Sequence, residues 1–129
     1  MEIKYIKPIQ DENVIERFAN ENGISFTQDF KEFFMVNNGG RPSLNTCLLE
    51  NGDEKVVNAF LSFNECDKEN IYNARRIIAE INEELIPFAN DPGGNYYCLL
   101  ESAVVFFSLE DEEVYAVADS FAMFLKGLK

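Results

Sequence analysis

"IPFANDPGGNYYCLL", residues 86–100, sets an Asp-Pro-Gly-Gly turn between a short apolar run and a run of aromatic and aliphatic residues. Asp91-Pro92 favours turn initiation, and Gly93-Gly94 supplies backbone angles that are costly for other residues. Two such runs joined this way predict an antiparallel strand pair. No helix is expected after the glycines, so the turn lacks the aligned amides and positive dipole end that cradle a phosphate. It reads as a corner of a sheet.

The pattern continues outward. "LIPFAN" (85–90), "NYYCLLE" (95–101), "AVVFFSLE" (103–110) and "EVYAVAD" (113–119) are rich in β-branched and aromatic residues and are separated by turn signals, which predicts a four-stranded meander. Upstream, Thr46–Leu49 and Val56–Phe63 flank Asn51-Gly52 and predict a hairpin, with Val57, Ala59, Leu61 and Phe63 on one face. Helical spacing appears four times. Val14, Ile15, Phe18 and Ala19 form one stripe, with Asp11 to cap it and Gly23 to stop it. Phe30, Phe33 and Phe34 form another between Thr27 and the Asn38-Gly39-Gly40 turn. From about Lys68 to Asn82, Ile71, Ala74, Ile77, Ile78 and Ile81 predict a third helix with Arg75 and Arg76 outside. Asp119 or Ser120 caps a fourth, whose Phe121, Phe124, Leu125 and Leu128 face inward. The expectation is one α+β domain over residues 1–129, an antiparallel-rich sheet of about six strands with helices packed on one side.

Length agrees with that reading. A chain of 129 residues, twelve of them Phe and five Tyr, buries roughly two-thirds of its unfolded surface in a single core. No apolar run approaches the ~18 residues that span a bilayer, and "MEIKYIKPIQ" lacks the apolar region of a signal peptide, so a cytoplasmic, membrane-free protein is expected. Cys47, Cys66 and Cys98 are odd in number and widely spaced, which favours free buried thiols over a disulfide or metal site. Twenty-three acidic against eleven basic residues leave a net charge of −12. That field repels nucleic acid and anionic lipid and attracts a basic protein surface.

Catalytic motifs are missing. Without histidine there is no Ser-His or Cys-His pair and no His-based metal site, and neither a nucleophile elbow nor a phosphate-binding loop is present. No cofactor is expected, and the chain does not read as an enzyme. Glu110, Asp111, Glu112 and Glu113 lack the alternating spacing of a calcium loop and read as a hairpin tip. Glu80, Glu83 and Glu84 fall near the C-terminal end of the third helix, where the macrodipole disfavours negative charge. Local stability does not ask for these carboxylates, which makes them candidates for contact with a partner.

Two segments, "DFKEFFMVNNGGRPS" (29–43) and "PFANDPGGNYYCLL" (87–100), resemble the signature segments of the SUKH superfamily, the Smi/Knr-like domains. The closing "DSFAMFLKGL" (119–128) is similar to the family's last helix. Pro92 stands where a small residue is commoner. The resemblance implies a sheet flanked by helices, with Asn38, Gly39, Gly40, Pro87, Phe88, Asp91, Gly93, Gly94 and Asn95 as fold-signature positions rather than contacts. It also implies a non-catalytic role. Bacterial members are mostly immunity proteins that bind and neutralise a cognate polymorphic toxin, often a nuclease or deaminase, whereas fungal relatives are regulatory binding modules. On this reading the partner is a basic toxin domain, met through Glu80, Glu83, Glu84 and Glu110 to Glu113; a regulatory or scaffold module is the alternative.

Overall fold

The apolar stripes of the first two helices enter one core together with residues of the sheet. In the computed structural model, which describes residues 1–129, helix α1 (Val14–Glu21) buries Val14, Ile15, Phe18 and Ala19, and helix α2 (Gln28–Asn37) buries Phe30 and Phe34. Asp11 does not cap α1 as expected, because the cap position falls on Asn13. The Asp11 carboxylate instead accepts from the Asn13 N–H at 2.9 Å and from Arg17 at 2.6 Å, which holds its pKa below the usual carboxylate range. No helix is long and apolar enough to cross a membrane.

A short strand β1 (Ile3–Lys4) precedes these helices and pairs with β2 (Arg41–Pro42), which follows α2. The expected hairpin forms from β3 (Thr46–Leu48) and β4 (Glu54–Val56), but it is a separate two-stranded ribbon. The expected second strand, Val56–Phe63, is therefore divided. Its later part contributes only β5 (Ala59–Phe60), and every residue from Ala59 to Phe63 is buried, so no alternation of faces survives. The reason is location: Phe60 packs on Phe33 and Phe34, and Phe63 packs on Phe18, Phe26 and Phe34. Covered on both sides, this segment no longer needs a polar side.

The meander is as the sequence predicts. Strands β6 (Leu85–Asn90), β7 (Tyr96–Leu100), β8 (Ala103–Ser108) and β9 (Glu113–Ala118) join β5 in a five-stranded antiparallel sheet of order β5-β6-β7-β8-β9. Helix α3 (Ile71–Ala79) is inserted between β5 and β6, and helix α4 (Phe121–Gly127) closes the chain, its first turn capped by the Ser120 hydroxyl.

Cross-strand pairing divides the sheet residues between two faces. Ile86 opposite Leu99, Leu99 opposite Val104 and Tyr97 opposite Phe106 share the face covered by α1, α2 and α4. Leu85, Cys98, Val105 and Phe107 lie on the other, where Ile78 of α3 packs against them. Helices on one side only is thus corrected: α3 lies beside β6, sending Ile71 and Ala74 to the large core and Ile78 to the small one. Ile77 and Ile81, expected inside, are 47% and 43% exposed, while Arg75, expected outside, is half-buried with hydrogen bonds to Asn22 and Glu83. All three thiols are free; Cys47 and Cys98 are buried and Cys66, on the loop before α3, is exposed.

Tyr97 is fully buried among Phe106 and Phe124, yet its hydroxyl has no hydrogen-bond partner. Burial raises the ionisation of Tyr97 and Cys98 and pushes Cys47 up to about 11. Raised folded-state values mean that the contribution of these groups is full below their unfolded ionisation and is lost progressively as pH rises from there through the folded-state ionisation. Stability should therefore fall above about pH 9, where an ordinary thiol, at 9.0, and then an ordinary phenol, at 10.0, ionise in the unfolded chain. Tyr97→Phe removes an orphan hydroxyl and one of these groups. Urea unfolding should find it equal to wild type or about 1 kcal/mol more stable at pH 7, with a smaller alkaline loss; clear destabilisation would mean that the hydroxyl has a partner in solution.

Candidate functional site

The Asp91–Asn95 turn closes on itself. One Asp91 carboxylate oxygen accepts from the N–H groups of Gly93 at 3.0 Å and Asn95 at 2.7 Å, and the other accepts from the Asn95 side chain at 3.3 Å. Asn95 in turn accepts from the Leu109 N–H at 2.9 Å, tying this turn to the β8–β9 turn. Of the paired glycines only Gly94 has a left-handed backbone, at φ +86, and a side chain at Gly93 would meet only ordinary contacts. Pro87 and Phe88 have a different task. Pairing of β6 with β7 shifts register between Pro87 and Ala89, and the buried Phe88 ring packs on Phe30, Phe121 and Phe124 at centroid distances of 6.1, 5.4 and 5.3 Å.

The other signature turn is the centre of a buried polar network. Asn38, 1% exposed, donates from its amide to the Lys7 carbonyl at 2.8 Å and the Ser62 hydroxyl at 2.9 Å, and accepts from the Phe63 N–H at 2.8 Å. Ser62 donates onward to Asp67 at 2.6 Å. Asn64 links Asp67, the Pro8 carbonyl and the Gln10 N–H, while Asn70 donates to the Asp67 carbonyl and caps α3 through the Asn73 N–H. Asn38, Ser62, Asn64 and Asn70 are the buried polar residues of the molecule, and all four belong to this network. Gly40 answers a close approach, since a Cβ there would run into the Ile3 side chain, and Gly39 turns the chain at φ +68. In "SFNECDKEN" (62–70) the sequence pattern assigns residues 62–63 to a strand and residues 68–70 to a helix, and nothing in it brings Ser62, Asn64, Asp67 and Asn70 together as one constellation.

The acidic candidates fall at opposite ends of the sheet. Glu80 is the C-cap of α3, and Glu83 and Glu84 lie past the helix in the turn that leads into β6, at the same end as Glu101 of the β7–β8 turn. Glu110 to Glu112 lie in the β8–β9 turn at the other end, beside Asn95, and Glu113 opens β9. A six-residue strand, roughly 20 Å, separates them. At that far end Asp111 accepts from the Tyr115 hydroxyl at 2.8 Å and from the Glu113 N–H, which lowers the carboxyl and raises the phenol relative to their ordinary ranges.

Only Asp11, Glu16 and Glu69 are in ion pairs, so twenty of the twenty-three acidic side chains have none. A cavity of about 200 Å³ near Gly39 is lined by Lys7, Arg41 and Lys68 as well as by Asp67 and Glu69, so charge there is largely offset. No three Asp, Glu or Cys side chains are grouped to hold a metal ion.

Comparison with known proteins matches this chain to the SMI1 / KNR4 family (SUKH-1) over residues 10–127. No curated protein matches. Among solved structures, a protein from Pseudomonas syringae pv. tomato superposes with a TM-score of 0.51 at 17% identity, over 80% of this chain and 75% of that one. At that identity the likeness concerns the fold.

Three substitutions separate the roles of the signature turns. Asn38→Ala orphans the Phe63 N–H and the Lys7 carbonyl and should cost about 2–4 kcal/mol in urea unfolding. Gly94→Val should cost about 1–3 kcal/mol because its backbone is left-handed, whereas Gly93→Val should stay within about 1 kcal/mol. If both glycine variants melt like wild type yet lose binding, the turn is a contact surface.

Proposed function

The chain belongs to the SMI1 / KNR4 family (SUKH-1), and we propose that it is a cytoplasmic immunity protein that binds and neutralises a cognate toxin domain, a basic one of nuclease or deaminase type. The reading is of a binding module and not an enzyme. One observation supports it beyond family membership: a surface on which three ion pairs leave twenty carboxylates unmatched at a net charge of −12. Such self-repulsion disfavours the compact state, while the same field accelerates encounter with a positive surface. A toxin that acts on nucleic acid is positive where it meets phosphate. An acidic protein seated on that surface excludes the substrate without doing any chemistry.

Co-expression with a toxin domain encoded beside this gene, scored by growth, tests the proposal. Rescue is expected, through a one-to-one complex whose association slows steeply as the Debye length shrinks from ~10 Å at 0.1 M salt to ~3 Å at 1 M. Stopped-flow association at several salt concentrations measures the second part. No rescue removes the immunity reading in favour of a regulatory or scaffold module; rescue with salt-independent association keeps it and discards the electrostatic mechanism.

A further inference from the structure

One end of the sheet carries a groove that combines apolar and acidic lining. It opens between the α1–α2 loop and the β7–β8 turn, has a volume of about 340 Å³, and has Phe26, Ile86 and Leu99 among its apolar lining. Ile86 and Phe26 are buried core residues, so that part of the lining is rigid. Two carboxylates, Glu84 and Glu101, stand among its other lining residues, and neither is in an ion pair. A smaller lobe of about 80 Å³ adjoins it and adds a third carboxylate, Asp29. No Lys or Arg lines either space.

Glu101 also occupies a place that its backbone disfavours. It is the first residue of a two-residue hairpin turn and has φ +58, a conformation that glycine or asparagine adopts at lower cost. Local folding would prefer a glycine here. The glutamate instead brings negative charge to the groove.

We propose that this groove seats a lysine or arginine side chain of the bound protein, an inference that rests on the reading of the partner as a basic toxin domain. Such a side chain is amphipathic. Its methylene stem lies on Phe26, Ile86 and Leu99 while its charged head meets Glu84 and Glu101. A wholly apolar occupant would strip water from two carboxylates without replacing their partners, and an acidic one would be repelled. The volume is at the lower end for cavities that hold small ligands, enough for one long side chain and the backbone that bears it. At the opposite end of the sheet, the concavity beside Glu110 and Asp111 already contains Lys55, and Tyr115 occupies the Asp111 carboxylate. A partner's cation would have to compete there. At Glu84 and Glu101 it would not.

The test uses the whole chain and a hexaarginine peptide, followed by amide chemical shifts at low salt. Saturable shifts should appear at Phe26, Thr27, Leu99 and Ser102, and Glu84→Gln combined with Glu101→Gln should weaken binding about tenfold or more. Neutralising Glu110, Asp111, Glu112 and Glu113 together removes more charge and should change binding less than about twofold. Glu101→Gly should raise the melting temperature by a few degrees while weakening the peptide, a combination that a purely structural residue does not give. Shifts centred on Glu110 to Glu113, or undiminished binding by the Glu84/Glu101 variant, would overturn the proposal. Growth assays keep the two ideas apart. Rescue by wild type and equally by the Glu84/Glu101 variant discards the groove and keeps neutralisation, whereas failure of wild type to rescue discards neutralisation and leaves the peptide titration to decide the groove.

Discussion

The side-chain amide of Asn38 is the constraint on which the arrangement of the helical half depends. It is buried at the end of α2 and satisfies a carbonyl 31 residues before it, an N–H 25 residues after it and the Ser62 hydroxyl at once. An amide supplies two donors and an acceptor in fixed geometry. An aspartate would lose the donors and a leucine all three functions. Through Ser62 and Asp67 the same network reaches the N-cap of α3, so the N-terminal segment, the end of α2 and the start of α3 converge on one group. In a low-dielectric interior such a network rigidifies the fold when complete and penalises it when broken.

Aromatic packing gives the core its shape. The Phe30 ring lies against Phe26, Phe34, Phe88 and Phe121, with centroids between 4.4 and 6.1 Å away, and so joins α2 and the loop before it to the sheet and to the last helix. Phe88 reaches this cluster at a register shift. Proline has no N–H to give the ladder, so the irregularity beside Pro87 gives up little hydrogen bonding and accompanies a ring packed against three others. Packing thus gives Pro87 and Phe88 a structural role.

What the sequence made legible follows from how local each signal is. Turn residues and β-branched runs announced β6 to β9 because hairpin neighbours are close in sequence, and the closing helix announced itself through Ser120 and Phe121. The third helix is legible and its inward face partly so: with isoleucine at 71, 77, 78 and 81, periodicity offers more than one apolar stripe, and the position of β6 selects Ile71, Ala74 and Ile78 and leaves out Ile77 and Ile81. The break after Val56 was hidden for a related reason, since double-sided burial erases the alternation that marks a strand. Gly93 and Gly94 were indistinguishable as letters, and only one needs its conformation. Least legible was the groove, assembled from three loops distant in sequence, of whose carboxylates Glu84 alone had drawn notice.

Signature and surface have separable duties. The polar side chains of Asn38, Asp91 and Asn95 are engaged by groups inside the fold, which leaves little with which to recognise a partner. Scaffold positions can then stay fixed while the partner-facing residues vary. Charge is divided as well. At physiological salt the Debye length is ~8 Å, shorter than the roughly 20 Å between the two acidic ends of the sheet, so each end acts on a docked partner almost independently of the other. Total charge of −12 therefore governs the rate of approach, where fields add over distance, whereas retention of a bound partner depends on the few carboxylates within a Debye length of its cations. On the proposed reading, an acidic chain of this kind would draw in basic proteins generally and hold those whose cations match its concave end.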